Sequence, residues 1–108
     1  MRKTLLLILF LSLAGTVQAK GNAEKGKAKA AQVCAACHGA DGAKPVAPEN
    51  PILAGQYPDY LVKALSDYKT GKRANPIMKA FADQLSKQDI DDLAAWFSSQ
   101  KSDLHFQR

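Results

Sequence analysis

Cysteine, tryptophan and histidine are scarce in this chain of 108 residues: two, one and two copies respectively. Both cysteines fall within one stretch, Cys34-Ala35-Ala36-Cys37-His38-Gly39, so no disulfide can tie distant segments together. Also missing is any alternation of β-branched or aromatic with polar residues over the four to eight positions of a strand. No internal repeat or low-complexity segment occurs, and no cluster of acid, base and nucleophile suggests bond-making chemistry. The charge is +5 over the whole chain, too mild a balance to argue for nucleic acid. Finally, no apolar run reaches the roughly 20 residues that cross a bilayer.

The longest such run opens the chain. Arg2 and Lys3 precede an apolar stretch from Leu5 broken only by Ser12, and the small-residue pattern Val17-Gln18-Ala19 follows it. That order is the one of a secretory signal peptide, so residues 1–19 are expected to be cleaved and the protein exported to the periplasm, with no stable membrane insertion of the mature chain. Removing 19 of 108 residues leaves 89, a single domain over residues 20–108, with a net charge of +3. A core that small calls for a staple, a metal or a cofactor.

The mature segment reads as all-α, with three to four helices. Asn22 is a good N-cap for a helix through residues 23–37, and Ala23, Gly26, Ala30 and Cys34 form its small-residue side. Residues 39–56 hold three of the five prolines and an Asp41-Gly42 turn signal, and read as a long loop. A second helix starts at Pro58 and stops before Gly71, with Tyr60, Leu61, Ala64, Leu65 and Tyr68 as its apolar side. Residues 71–78 are expected to be irregular, because Pro76 holds Asn75 extended. Ser86 and Asp89 form a capping box for the last helix, Asp91 and Asp92 suit its dipole, and Ile90, Leu93, Trp96 and Phe97 are its stripe. The end from Gln100 onward is expected to fray.

What the Cys-x-x-Cys-His stretch does follows by elimination. A disulfide there would close a trivial loop. A thioredoxin-like redox pair belongs with a βαβ pattern, which is missing. Zinc would need a second ligand pair, and beyond Cys34, Cys37 and His38 only His105 remains. Covalent haem attachment is left, and Cys-x-x-Cys-His is its recognised signal. On a helix, residues three and four apart share a face, so Cys34 and Cys37 can each bond a porphyrin vinyl carbon while His38 meets the iron. Setting aside Met1, the sole methionine is Met78, the expected second axial ligand; His/Met ligation raises the iron's potential. His105, near the chain end, is the competing sixth ligand.

The segments "GNAEKGKAKAAQVCAACHGADG", "PILAGQYPDYLVKALSDYKTGKR" and "NPIMKAFADQLSKQDIDDLAAWFSSQ" resemble the class I c-type cytochromes, in particular small bacterial monohaem carriers that look like one half of the dihaem periplasmic cytochromes. The resemblance spans residues 21–100 and implies a class I cytochrome c fold wrapped around one haem c. It also implies that Gly26 lets the first and last helices cross against Leu93 and Trp96, that the Pro51 carbonyl orients the His38 ring, and that Leu53 touches the haem. Many members carry an aromatic residue four positions before the first cysteine; here Ala30 stands there. The function implied is a monomeric electron carrier, not an enzyme, passing single electrons between respiratory donors and acceptors. Alternatives are a haem-bearing subunit of a larger oxidoreductase, or a ligand-binding haem sensor or enzyme. Lys63, Lys69, Lys72, Arg73 and Lys79, set against the single acid Asp67, are expected to face redox partners with an acidic docking patch.

Overall fold

The computed structural model describes residues 21–103. The expected signal peptide, residues 1–19, and His105 lie outside the described residues. Among the described residues there are five helices and no strand: α1 (Ala23–Val33), α2 (Ala35–His38), α3 (Pro58–Thr70), α4 (Pro76–Ala82) and α5 (Lys87–Ser98). None of them is long and apolar enough to cross a membrane.

The frame is a crossing of α1 over α5, with α3 packed against α5 and α4 against α3. Small residues make the crossing possible. A Cβ added to Gly26 would sit 2.0 Å from the Asp92 carbonyl oxygen and 2.9 Å from the Trp96 Cβ, so the neighbours that require a glycine are Asp92 and Trp96. Around this crossing Ala30, Leu61, Leu85, Ile90, Leu93, Ala94 and Phe97 form the buried core. At this burial each large aliphatic or aromatic side chain contributes about 1.5–3 kcal/mol.

The helix ends follow local chemistry. Asn22 accepts the Lys25 N–H at 3.0 Å, while its own N–H donates to Asp92 Oδ1 at 2.8 Å, so the α1 cap is also a tie to α5. Gln88 Nε2 donates to the same Asp92 oxygen at 2.8 Å, and Lys87 Nζ lies 3.1 Å from Asp91 Oδ2. Asp91 and Asp92 are buried and partnered, which assigns them structural work. Helix α3 ends at Gly71, whose φ of +82° is open to glycine at no steric cost. On α5, Ser86 and Asp89 form a reciprocal capping box.

Three local expectations differ from what is observed. The first helix does not run unbroken to Cys37: it breaks at Cys34, where φ of −113° departs from the helical value, and α2 begins again at Ala35. Residues 71–78 are not irregular throughout, because Asn75 and Pro76, a cap and a first-turn proline, start α4 there. Tyr60, expected on the apolar side of α3, is 47 % exposed, the core side of that helix being carried by Leu61. Five short helices therefore stand where three to four were expected.

Candidate cofactor site

Helix α2 and the break before it decide where the Cys-x-x-Cys-His side chains go. The Cys34 N–H still donates to the Ala30 carbonyl at 2.9 Å, and the His38 N–H donates to the Cys34 carbonyl at 3.0 Å, so hydrogen bonds close the turn on both sides of the break. Cys34 is half-buried and Cys37 exposed, and both thiols are free. Burial pushes the Cys34 pKa up to about 11, which keeps its thiol protonated at neutral pH.

His38 is only 6 % exposed. Its Nδ1 stands 3.0 Å from the Pro51 carbonyl oxygen. A carbonyl can only accept, so Nδ1 is the donor, and Nε2 is the ring nitrogen that remains to meet a metal. The loop that brings Pro51 here is tied down at several points. Val46 N–H and Asn50 Nδ2 both donate to the Cys37 carbonyl at 3.1 Å, Leu53 N–H donates to the Gly42 carbonyl at 2.9 Å, and Gly55 N–H donates to the Phe97 carbonyl at 2.9 Å.

A cavity of about 490 Å³ opens beside this loop. Cys34, Cys37, His38, Pro51, Leu53 and Met78 all line it, so the structure brings together every described candidate site residue. The rest of its wall is largely apolar, with Leu61, Leu65, Phe81, Leu85, Leu93 and Phe97 prominent. Met78 belongs to the first turn of α4 rather than to a loop.

Sequence reasoning did not place Arg73, Tyr68 and Asn75 at this cavity, which they also line. The Arg73 guanidinium lies 4.9 Å from the centroid of the Tyr68 ring, and Nη1 donates to the Tyr60 hydroxyl at 3.3 Å. That hydrogen bond raises the arginine's pKa above its ordinary value, so the group is a permanent cation at the cavity's edge. Only the basic run between Lys63 and Lys79 pointed this way, and it does not say which cation turns inward.

The family model for cytochrome c matches residues 23–101. The chain belongs to the cytochrome c family. It is 53 % identical over 95 residues to cytochrome c4 of Pseudomonas aeruginosa, a match covering 88 % of this chain and 46 % of that protein. It is 46 % identical over 66 residues to a thiosulfate dehydrogenase electron acceptor of Stutzerimonas stutzeri, covering 61 % and 31 %. The crystal structure of reduced cytochrome c4 from Pseudomonas stutzeri superposes with a TM-score of 0.70 at 45 % identity, covering 78 % of this chain and 48 % of that one. The chain spans about half the length of the cytochromes c4 it matches.

With these relatives, the all-α architecture is the class I cytochrome c fold, and the cofactor of this cytochrome c is haem c. The residues present fit that group. The cavity lies within the ~300–1,000 Å³ of small-molecule sites, its walls are largely apolar, and two free thiols and a buried imidazole whose Nδ1 is engaged by Pro51 are among its lining.

Proposed function

We propose that this cytochrome c is a periplasmic one-electron carrier in which Cys34 and Cys37 hold the haem by thioether bonds while His38 and Met78 are the two axial ligands. The observation that carries the reading is that His38, with its Nδ1 occupied by Pro51, and Met78, from a different helix, line the same cavity. When bound, the haem supplies an iron that takes up and releases one electron. The chain's own residues do the rest. Pro51 holds the imidazole ring in one orientation and one tautomer. Met78 occupies the position that a gas or substrate would otherwise take, and a thioether there favours a high potential. Leu53, Leu61, Leu65 and Phe97 surround the cofactor with apolar atoms and exclude water.

Maturation in this reading removes residues 1–19 and leaves one domain over residues 20–108, acting as a monomer. Its partners are membrane-bound or soluble reductases and oxidases that present an acidic patch. Exposed Ile77 and Phe81 on α4 supply an apolar rim at the cavity, and Lys72 and Arg73 supply nearby positive charge. Such an interface is small and transient, and charge mainly speeds the encounter. A second reading, a haem-bearing subunit that serves one larger oxidoreductase, is favoured by the relative named as a thiosulfate dehydrogenase electron acceptor.

Visible spectra of the purified protein, oxidised, reduced and reduced under carbon monoxide, test the proposal. A carrier with both axial positions filled binds carbon monoxide only slowly, as Met78 lets go, whereas Met78→Ala binds it readily and has a lower potential. Rapid carbon monoxide binding by the unaltered protein would instead assign it to ligand sensing or catalysis.

A further inference from the structure

Asn75 is the N-cap of α4, and its side-chain oxygen accepts two hydrogen bonds, from the Ile77 N–H at 3.1 Å and from the Met78 N–H at 3.0 Å. Its carbonyl accepts a third, from the Lys79 N–H at 2.9 Å. One residue thus holds the backbone of three successive positions with Met78 at their centre. Pro76, between them, has no N–H of its own to satisfy and a φ already set for a first turn.

The rest of α4 offers little substitute for this cap. Seven residues are far fewer than a helix needs to persist by itself in water. Only Ala82 of this helix is fully buried, and Ile77 is 69 % exposed. A second tie comes from Lys79, whose Nζ donates to the Lys69 carbonyl at the end of α3 and to Asp83 Oδ1, each at 3.0 Å. The pair with Asp83 is exposed and contributes little, but the bond to the carbonyl links α4 to α3.

We infer that Asn75 is a positioning residue for Met78: by holding the Met78 backbone N–H it keeps the thioether at the cofactor cavity. The inference rests on Met78 being an axial ligand. Without the cap, two N–H groups lose their acceptor, the first turn of α4 loosens, and the share of molecules with the thioether withdrawn rises about five-fold, the factor that the loss of a typical N-cap corresponds to.

The test uses the holoprotein in four variants: Asn75→Ala, which removes the acceptor, Asn75→Ser, which restores one, Met78→Ala, and Ser86→Ala, which removes the comparable cap of α5 away from Met78. Carbon monoxide binding to the reduced protein and hydrogen exchange of the Met78 amide are measured beside the thermal midpoint. The expected result is about five-fold faster carbon monoxide binding and amide exchange in Asn75→Ala, values near the unaltered protein in Asn75→Ser, and in Ser86→Ala a lowered midpoint with unchanged carbon monoxide binding. If Asn75→Ala behaves as Ser86→Ala does while Met78→Ala binds carbon monoxide, the positioning role is overturned and the ligand assignment stands. If Met78→Ala leaves carbon monoxide binding and spectrum unchanged, the ligand assignment itself falls, and the inference with it.

Discussion

Gly26 of α1 and Asp92 of α5 approach so closely that a Cβ on the glycine would lie 2.0 Å from the aspartate's carbonyl oxygen. The obstacle is backbone, which cannot rotate aside as a flexible side chain would. Gly26→Ala should therefore force the two helices apart despite alanine's better helix propensity, at a cost of about 1–3 kcal/mol. For a domain of this size that corresponds to a thermal midpoint lower by roughly 4–8 °C per kcal/mol, read by circular dichroism of the holoprotein. An unchanged or raised midpoint would mean that the crossing has slack.

The cysteines give a direct test of attachment. If Cys34 and Cys37 carry thioethers, haem stays with the polypeptide through acid–acetone extraction and denaturing electrophoresis. Cys34→Ser or Cys37→Ser should leave little stable holoprotein, because core residues form the cavity walls and would face an empty space without the cofactor. Freely extracted haem in the unaltered protein would contradict the assignment.

The basic run is less uniform than its sequence suggests. Lys63 pairs with Asp67, Lys69 donates to the Leu85 carbonyl, and Lys79 is engaged with Asp83 and the Lys69 carbonyl. Lys72, on the exposed turn after α3, is thus the better place to probe steering. Lys72→Glu should slow electron transfer to an acidic partner and flatten the salt dependence of the rate, while the potential hardly moves, since an exposed charge is screened over a Debye length of about 8 Å. Stopped-flow rates across a salt series check this; rates that rise with salt in the unaltered protein would point to docking through the apolar rim of Ile77 and Phe81.

Acid stability has a local contributor. The Ser86 backbone N–H donates to Asp89 Oδ2 at 2.9 Å and holds that carboxyl below the ordinary aspartate range. A carboxyl with a folded pKa lower than its unfolded one stabilises the fold above the unfolded value, about 3.9, and the contribution fades as pH falls through the lower folded value. Asp89→Asn should accordingly lower the thermal midpoint near neutral pH by a small amount and make its decline below about pH 4 shallower. Parallel midpoint curves for the two proteins would assign the acid sensitivity elsewhere.

Sequence alone determined the all-α class, both ends of α3, the start of α5 and the grouping of Cys34, Cys37 and His38, because each rests on chemistry that is local in the chain. Ser86 and Asp89 cap each other three residues apart, Gly71 closes α3 by its own backbone freedom, and Cys34, Cys37 and His38 occupy a single turn. It did not determine the break at Cys34 or the helical state of Met78. The break has no local signal in the chain, whereas the start of α4 has one, the Asn75 cap before Pro76, which reads equally as a stop because a residue before proline is held extended. Likewise the five cations between Lys63 and Lys79 look alike in the chain, and only the fold selects Arg73 for the cavity edge, stacked on Tyr68, while Lys79 turns back to brace its own helix. Local hydrogen bonds and turns are written within a few residues; the partners of a long, flexible side chain are decided by whichever helix the tertiary structure places beside it.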